Sequence, residues 1–183
     1  IRDGTVTGVQ TCALPISAHQ EYSGKKIQYF DPELGKSYIP YVVETSIGLD
    51  RMFLSVLSHA FCQEKLENGE SRSVLKIPAF LAPIKAAILP LTKKDGMPEK
   101  ARTIMKSLRI NFNCQYEEKD SIGKRYRRQD AIGTPFCITI DHQTLEDDTI
   151  TIRDRDTMQQ KRISIAKIHS IISEKTDIAN FLN

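Results

Sequence analysis

The chain has 183 residues, 40% of them hydrophobic, enough for one ordinary domain or a small domain joined to part of another. A formal net charge of +3 does not mark a nucleic-acid binder by itself, so any basic footprint must come from how the 26 Lys and Arg cluster. No apolar run reaches the roughly eighteen residues of a membrane span. The longest, 79–91, is broken by Pro83, Lys85 and Pro90, which excludes a membrane-embedded protein.

Residues 4–16 (GTVTGVQTCALPI) show no helix period, strand alternation or signal-peptide n-region. Within them, VTGVQTCALPI resembles the translation of a common short-read sequencing adapter. Residues 1–16, Cys12 included, are therefore expected to be an artefact without structure. From 17 to 38 the chain is polar, with turn signals at Ser23-Gly24, Asp31-Pro32 and Leu34-Gly35 that predict short surface strands or loops. Tyr41, Val42 and Val43 follow Pro40 as a short β-favouring run, expected as a buried strand.

After Gly48 the period turns helical. Leu49, Met52, Phe53, Val56, Leu57, Ala60 and Phe61 line one apolar face, which predicts a helix set against a core. Residues 63–73 (QEKLENGESRS) lose periodicity and gain charge, Gly and Ser, the composition of a linker. Beyond it, 86–91 reads as a strand and Pro98 opens a helix carrying Ala101, Ile104, Met105 and Leu108 on one face. Residues 110–116 (INFNCQY) alternate as a strand. Ser121 is placed to cap a helix through Ala131, closed by Gly133 and Pro135. Residues 136–140 and 149–153 read as strands joined by a turn-rich connector over 141–148, and Ser164 heads a last helix with Ile165, Ile168, Ile171 and Ile172. Strands alternating with helices imply crossover connections, parallel pairs and a layered α/β domain with an antiparallel edge.

Several readings of the polar residues stay open on pattern alone. Arg51 lies in the first helical turn, away from the apolar face. Together with the free N–H groups and partial positive charge of the helix start, reached through Gly48, it suits an anionic phosphate, and Asp50 complements the dipole and can orient the arginine. Glu44 and Ser46, two residues apart on an extended segment, could hold an ammonium-bearing ligand. The same residues also fit helix-start acids, a cap and an exposed ion-pair partner. Lys124, Arg125, Arg127 and Arg128 surround Tyr126, and Arg153 and Arg155 follow a strand; such a run reads as a solvated face or as phosphate contacts. The acids of 153–156 (RDRD) alternate with arginine, which favours mutual ion pairing over a metal pair. The four cysteines have no CxxC spacing, and Cys114 and Cys137 sit in apolar runs as reduced thiols, the usage of a cytoplasmic protein. The four histidines have no metal-ligand spacing, so no metal site is expected, and there is no Walker loop or dinucleotide fingerprint.

Residues 40–57 (PYVVETSIGLDRMFLSVL) resemble motif 3 of the class II aminoacyl-tRNA synthetases, and the spacing of Glu, Ser and Gly is similar to that of the glycyl-tRNA synthetase family. The likeness continues through KIPAFLAPIKAAILPL, DSIGKRYRRQDAIGTPFCITID and TITIRDRDTMQQKRI, which look like that family's C-terminal anticodon-binding domain. The resemblance implies an α/β chain: the end of an antiparallel catalytic sheet plus a helix over 17–63, a linker at 64–73, and a mixed-sheet anticodon-binding domain over 74–183. It implies ATP contacts at Gly48, Leu49, Asp50 and Arg51, with Arg51 as the catalytic charge stabiliser, and glycine contacts at Glu44, Thr45, Ser46, Ile47 and Gly48. Thr45 stands where many relatives have proline. The tRNA(Gly) contacts expected on this basis are Arg127, Arg128, Arg153 and Arg155. The family implies ATP as substrate, Mg2+ without ligands identified here, a homodimer of the complete protein, and no DNA or membrane partner. Its motifs 1 and 2 are not found in this chain, so the chain by itself is expected to be inactive. A non-catalytic RNA-binding module and a class II synthetase for another amino acid are the alternatives.

Overall fold

A computed structural model describes residues 8–12, 14–66 and 69–182, and the chain divides into two compact units, 1–55 and 56–183. In the first unit, strand β1 (Gly8–Cys12) pairs antiparallel with β4 (Val42–Ser46), in a register that sets Gly8 opposite Ser46 and Cys12 opposite Val42. A strand therefore lies in the stretch expected to be without structure; ladder bonds come from the backbone and need no side-chain alternation. Helix α1 (Leu14–Ser23) lies where loops were expected. It is tied off by polar contacts that leave no apolar period: the Ser23 hydroxyl donates to the His19 carbonyl, and Gln20 Oε1 accepts from the Ile27 N–H at 2.7 Å. Strands β2 (Tyr29–Asp31) and β3 (Lys36–Tyr38) form a hairpin in which Asp31 Oδ1 accepts from the Glu33 and Leu34 N–H groups.

Helix α2 (Leu49–Ala60) forms as the period predicts, but its apolar face is not in a core. Leu49 is 77% exposed, Phe53 64% and Leu54 67%, and only Ala60 is buried. Amphipathic spacing decides which side chains share a face, not whether a partner surface covers it.

In the second unit the expected linker is mostly a hairpin, β5 (Phe61–Lys65) against β6 (Ser71–Leu75). Its period-2 pattern hides in charged and small residues because Arg72 and Val74, alternate positions, are the buried ones. The main sheet has five strands in the order β11-β10-β9-β7-β8. The strands β7 (Ala86–Pro90), β8 (Cys114–Tyr116) and β9 (Phe136–Ile140) are parallel, while β10 (Thr149–Asp154) and β11 (Gln160–Ser164) add an antiparallel edge. This is the mixed sheet the alternating elements predict.

Both faces of β7 and β9 are covered, which is why, Thr139 apart, they are apolar rather than alternating. Ala86, Ile88, Phe136, Ile138 and Ile140 face a core shared with α3 (Met97–Leu108) and α6 (Ile168–Thr176). Ala87, Leu89 and Cys137 face the opposite side, under Ile122 and Tyr126 of α4 (Ile122–Ile132). Burial pushes the Cys137 thiol up to about 12 and that of Cys114 to about 11, so neither is a nucleophile near neutral pH.

Three boundaries differ from expectation. Residues 110–113 are turns rather than strand, since the backbone keeps bonding to Leu108 and Ile110 is 81% exposed. The 141–148 connector contains a helix, α5 (His142–Asp147), started by a reciprocal capping box between Asp141 and Thr144. Ser121 and Ser164 precede helical turns without making a side-chain cap bond; a 3-10 turn (Ile165–Lys167) follows Ser164, and a short α7 (Ala179–Leu182) ends the described chain.

Candidate functional site

Two sets of residues were candidates, and each lies within one unit. In the first, β4 carries Glu44, Thr45 and Ser46 on its backbone, and their side chains lie outside the described ones. Ile47 and Gly48 then lead into α2, whose first turn holds Leu49, Asp50 and Arg51, all exposed. The Gly48 carbonyl accepts from the Met52 N–H at 3.0 Å, closing the first turn. A Cβ built on Gly48 would stand 3.9 Å from Arg51 Cγ and Cδ, so the arginine stem runs back along the glycine towards the helix start. That is the direction in which helical side chains lean. The N–H groups of the first turn lie at that same helix start, and no ion pair of Arg51 is found among the described residues. The arrangement offers a cation and backbone donors to one anion.

The second set, in α4 and β10, divides into buried and exposed members. Arg125 is buried, and its Nη1 donates to the carbonyls of Pro90 at 2.7 Å and Glu117 at 3.2 Å, pinning the ends of two parallel strands to α4. Arg153 and Arg155, expected as phosphate contacts, are interior residues, 5% and 3% exposed. Arg153 grips Asp130 with two nitrogens, at 2.8 and 3.0 Å. Arg155 donates to the Gly133 and Ile77 carbonyls and forks onto Asp156, the ion pairing that the alternation of acids with arginines predicts. A buried charge must be paired, and once paired it is not available to a phosphate. Their placement removes both from the surface.

Arg128 is partly exposed but committed to Glu117, to Asp120 at 2.9 Å and to the Lys119 carbonyl, an ordered clasp on the loop before α4. Arg127 is the freer cation, with 37% of its side chain exposed and a Glu70 carboxylate 3.4 Å away. Tyr126 is part of the structure: it packs on the α4-side core and its hydroxyl is 2.7 Å from Thr139 Oγ1.

The residue that sequence reading missed is Arg72. It is 2% exposed and binds Asp130 Oδ2 at 3.0 Å and the Arg155 carbonyl at 3.1 Å. On its other side Nε donates to Glu64 Oε2 at 2.7 Å, while Nη2 approaches the same oxygen at 2.6 Å without a directed hydrogen bond of its own. The only sequence signal was a lone arginine alternating with Val74 in a polar stretch.

Residues 85–175 match the anticodon-binding domain family. Over 160 residues the chain is 53% identical to the glycine–tRNA ligase of Chlorobaculum tepidum, covering 87% of this chain and 34% of that protein. It is 51% identical over 162 residues to the enzyme of Clostridium tetani and 46% identical over 168 residues to that of Borrelia hermsii.

The chain carries an anticodon-binding domain and is similar to glycine–tRNA ligases over most of its length.

It corresponds to the C-terminal portion of these glycine–tRNA ligases and spans about a third of their length, 34% and 35% for the first two. The anticodon-binding domain match covers the sheet from β7 and its flanking helices, and the ligase relatives extend the similarity well beyond that domain.

Proposed function

We propose that the complete protein of which this chain is part ligates glycine to tRNA(Gly) at the expense of ATP. Identity of about half to glycine–tRNA ligases over 87% of the chain carries this reading. In it, a glycine carboxylate oxygen attacks the α-phosphorus of ATP and pyrophosphate leaves; the tRNA 3′ hydroxyl then takes the acyl group and AMP leaves. Such chemistry depends on positioning and charge stabilisation rather than on a protein nucleophile. In this reading Arg51 takes that role, and its stem, which runs along Gly48 towards the start of α2, supports it. Gly48, Leu49 and Asp50 complete the nucleotide side, and Glu44, Thr45, Ser46 and Ile47 the glycine side.

Mg2+ would accompany the ATP. Among the described residues no cluster of three or more His, Cys, Asp or Glu is placed to hold a metal, so no step is assigned to an ion held by this chain. The exposed apolar face of α2 fits a helix whose cover lies in the remainder of the catalytic domain. A homodimer and a cytoplasmic setting belong to the same reading, and Arg127 is a surface cation of this unit suited to a tRNA phosphate.

Glycine-dependent ATP–pyrophosphate exchange tests it. The complete protein should exchange with glycine and with no other amino acid, Arg51→Ala should lower exchange by at least about a hundredfold, and this chain alone should show none. Exchange driven by a different amino acid would point to another class II synthetase, and tRNA binding without any exchange to a non-catalytic module.

A further inference from the structure

Along the antiparallel edge of the sheet, the core beneath α6 is left partly open. Lys161 and Ile163 of β11 stand opposite Ile152 and Ile150 of β10, so both turn to the face that this core occupies. Helix α6 sends Ile168 and Ile172 fully inward, 1% and 0% exposed, whereas Ile171 on its flank and Ile163 on the edge strand are only partly buried. Between those two lies a pocket of about 390 Å³, its floor completed by Phe136 and Ile152.

The rim is charged. Lys161 and Lys175 line it, and among the described residues neither enters an ion pair. The acids there are Asp154 and Glu174. Asp154 is committed to the β10–β11 turn: its Oδ1 accepts from the Asp156 and Thr157 N–H groups, each at 2.9 Å, and from the Thr157 hydroxyl at 3.0 Å. Two ammonium groups thus stand against one uncommitted carboxylate, which makes the rim complementary to a single negative charge. Lysine stems lie along apolar surface while their ammonium groups stay in water, so both can border an apolar ligand and still meet its charged end. The volume lies within the ~300–1,000 Å³ of pockets that enclose small molecules, and an apolar floor with a few convergent polar groups is their usual lining. Such a floor offers nothing to an inorganic anion.

We infer that the pocket between β11 and α6 binds a small soluble aliphatic monocarboxylate, its chain on Phe136, Ile152, Ile163 and Ile171 and its carboxylate between Lys161 and Lys175. The site goes beyond the ligase reading and is independent of it, since the pocket opens on the sheet face opposite α4 and Arg127.

A chain-length series tests it. Binding of hexanoate, octanoate and decanoate to the 183-residue chain is measured by calorimetry, with octan-1-ol and octylamine as controls. Affinity should rise roughly fourfold for each methylene until the pocket is full, and the alcohol and amine should bind more weakly than octanoate. Lys161→Met together with Lys175→Met keeps the apolar stems and removes the charges, so it should weaken octanoate about tenfold and leave octan-1-ol unchanged. Ile163→Trp fills the pocket from a strand position that accepts aromatic residues, and it should abolish binding of all the acids while the melting temperature is kept. No saturable binding of any acid at millimolar concentration, equal affinity for octanoate and octylamine, or an affinity indifferent to both sets of replacements would overturn the inference. With vesicles of anionic phospholipid the chain should stay in solution; co-sedimentation abolished by the lysine replacements would overturn the soluble ligand in favour of a membrane surface.

Discussion

Arg153 and Asp130 face each other as a closed fork, Nη1 on Oδ1 at 2.8 Å and Nη2 on Oδ2 at 3.0 Å, with the carboxylate fully buried. Arg72 enters from the β5–β6 hairpin to share Oδ2, so one anion on α4 neutralises two cations from two other elements. Removing the anion leaves the buried Arg153 without a carboxylate and Arg72 with Glu64 alone, which costs far more than the pair itself contributes. Asp130→Ala should destabilise the protein by about 3–5 kcal/mol in chemical denaturation. A loss below about 1 kcal/mol would mean that water reaches the arginines.

Gly133 ends α4 at φ 82, and a Cβ there would come within 3.0 Å of Ile77 side-chain carbons and 3.1 Å of the Leu75 carbonyl. Both conformation and space require glycine. Gly133→Ala should cost about 2 kcal/mol, from the left-handed penalty and the contact together. Thermal unfolding at an unchanged midpoint would show that the hairpin can move aside.

Arg162 beside Asp141, helped by the Thr144 N–H and hydroxyl, holds the Asp141 carboxyl down at about 2. A depressed folded-state pKa means that the ionised form favours folding. The contribution is complete above the ordinary carboxylate pKa of about 4 and is lost as pH falls through about 2. A carbon-detected NMR titration should place the Asp141 midpoint there, and Arg162→Ala should return it towards the ordinary range. A midpoint indifferent to Arg162 would assign the shift to the helix cap alone.

Of the arginines that cluster in sequence, Arg127 should matter most to RNA and Arg128 to the fold. Arg127→Ala should weaken tRNA(Gly) binding and reduce the slope of log affinity against log salt by about 1. Arg128→Ala should loosen the 117–120 loop that it clasps, seen as faster amide exchange there, with a smaller effect on the salt slope. Equal slopes for Arg127→Ala and the unsubstituted chain would exclude a phosphate contact at that residue.

The alternation of apolar runs made the mixed sheet legible, because β7 and β9 are buried on both faces and, Thr139 apart, are built of apolar side chains. Helix α2 was legible because the apolar residues after Gly48 recur at a helical period. What escaped notice depended on charge rather than hydrophobicity. Arg72, Arg125, Arg153 and Arg155 look like surface residues in a one-dimensional pattern, and only their distant partners (Asp130, the Pro90, Gly133 and Ile77 carbonyls) reveal them as interior. The β5–β6 hairpin was read as a linker for the same reason: one of its two inward side chains is an arginine. Helix α5 was missed because a six-residue helix is decided by its cap, not by periodicity.

The Arg72 contact bears on where the anticodon-binding unit may be cut. A domain trimmed to the family-matched residues 85–175 would keep Asp130 and Arg153 but discard Arg72, Ile77 and the rest of the hairpin. It would then expose one side of that carboxylate and free the Arg155 guanidinium from a carbonyl. A cut ahead of Phe61 retains every partner named here. By its ion pairs, the folding unit starts some two dozen residues before the recognisable domain does.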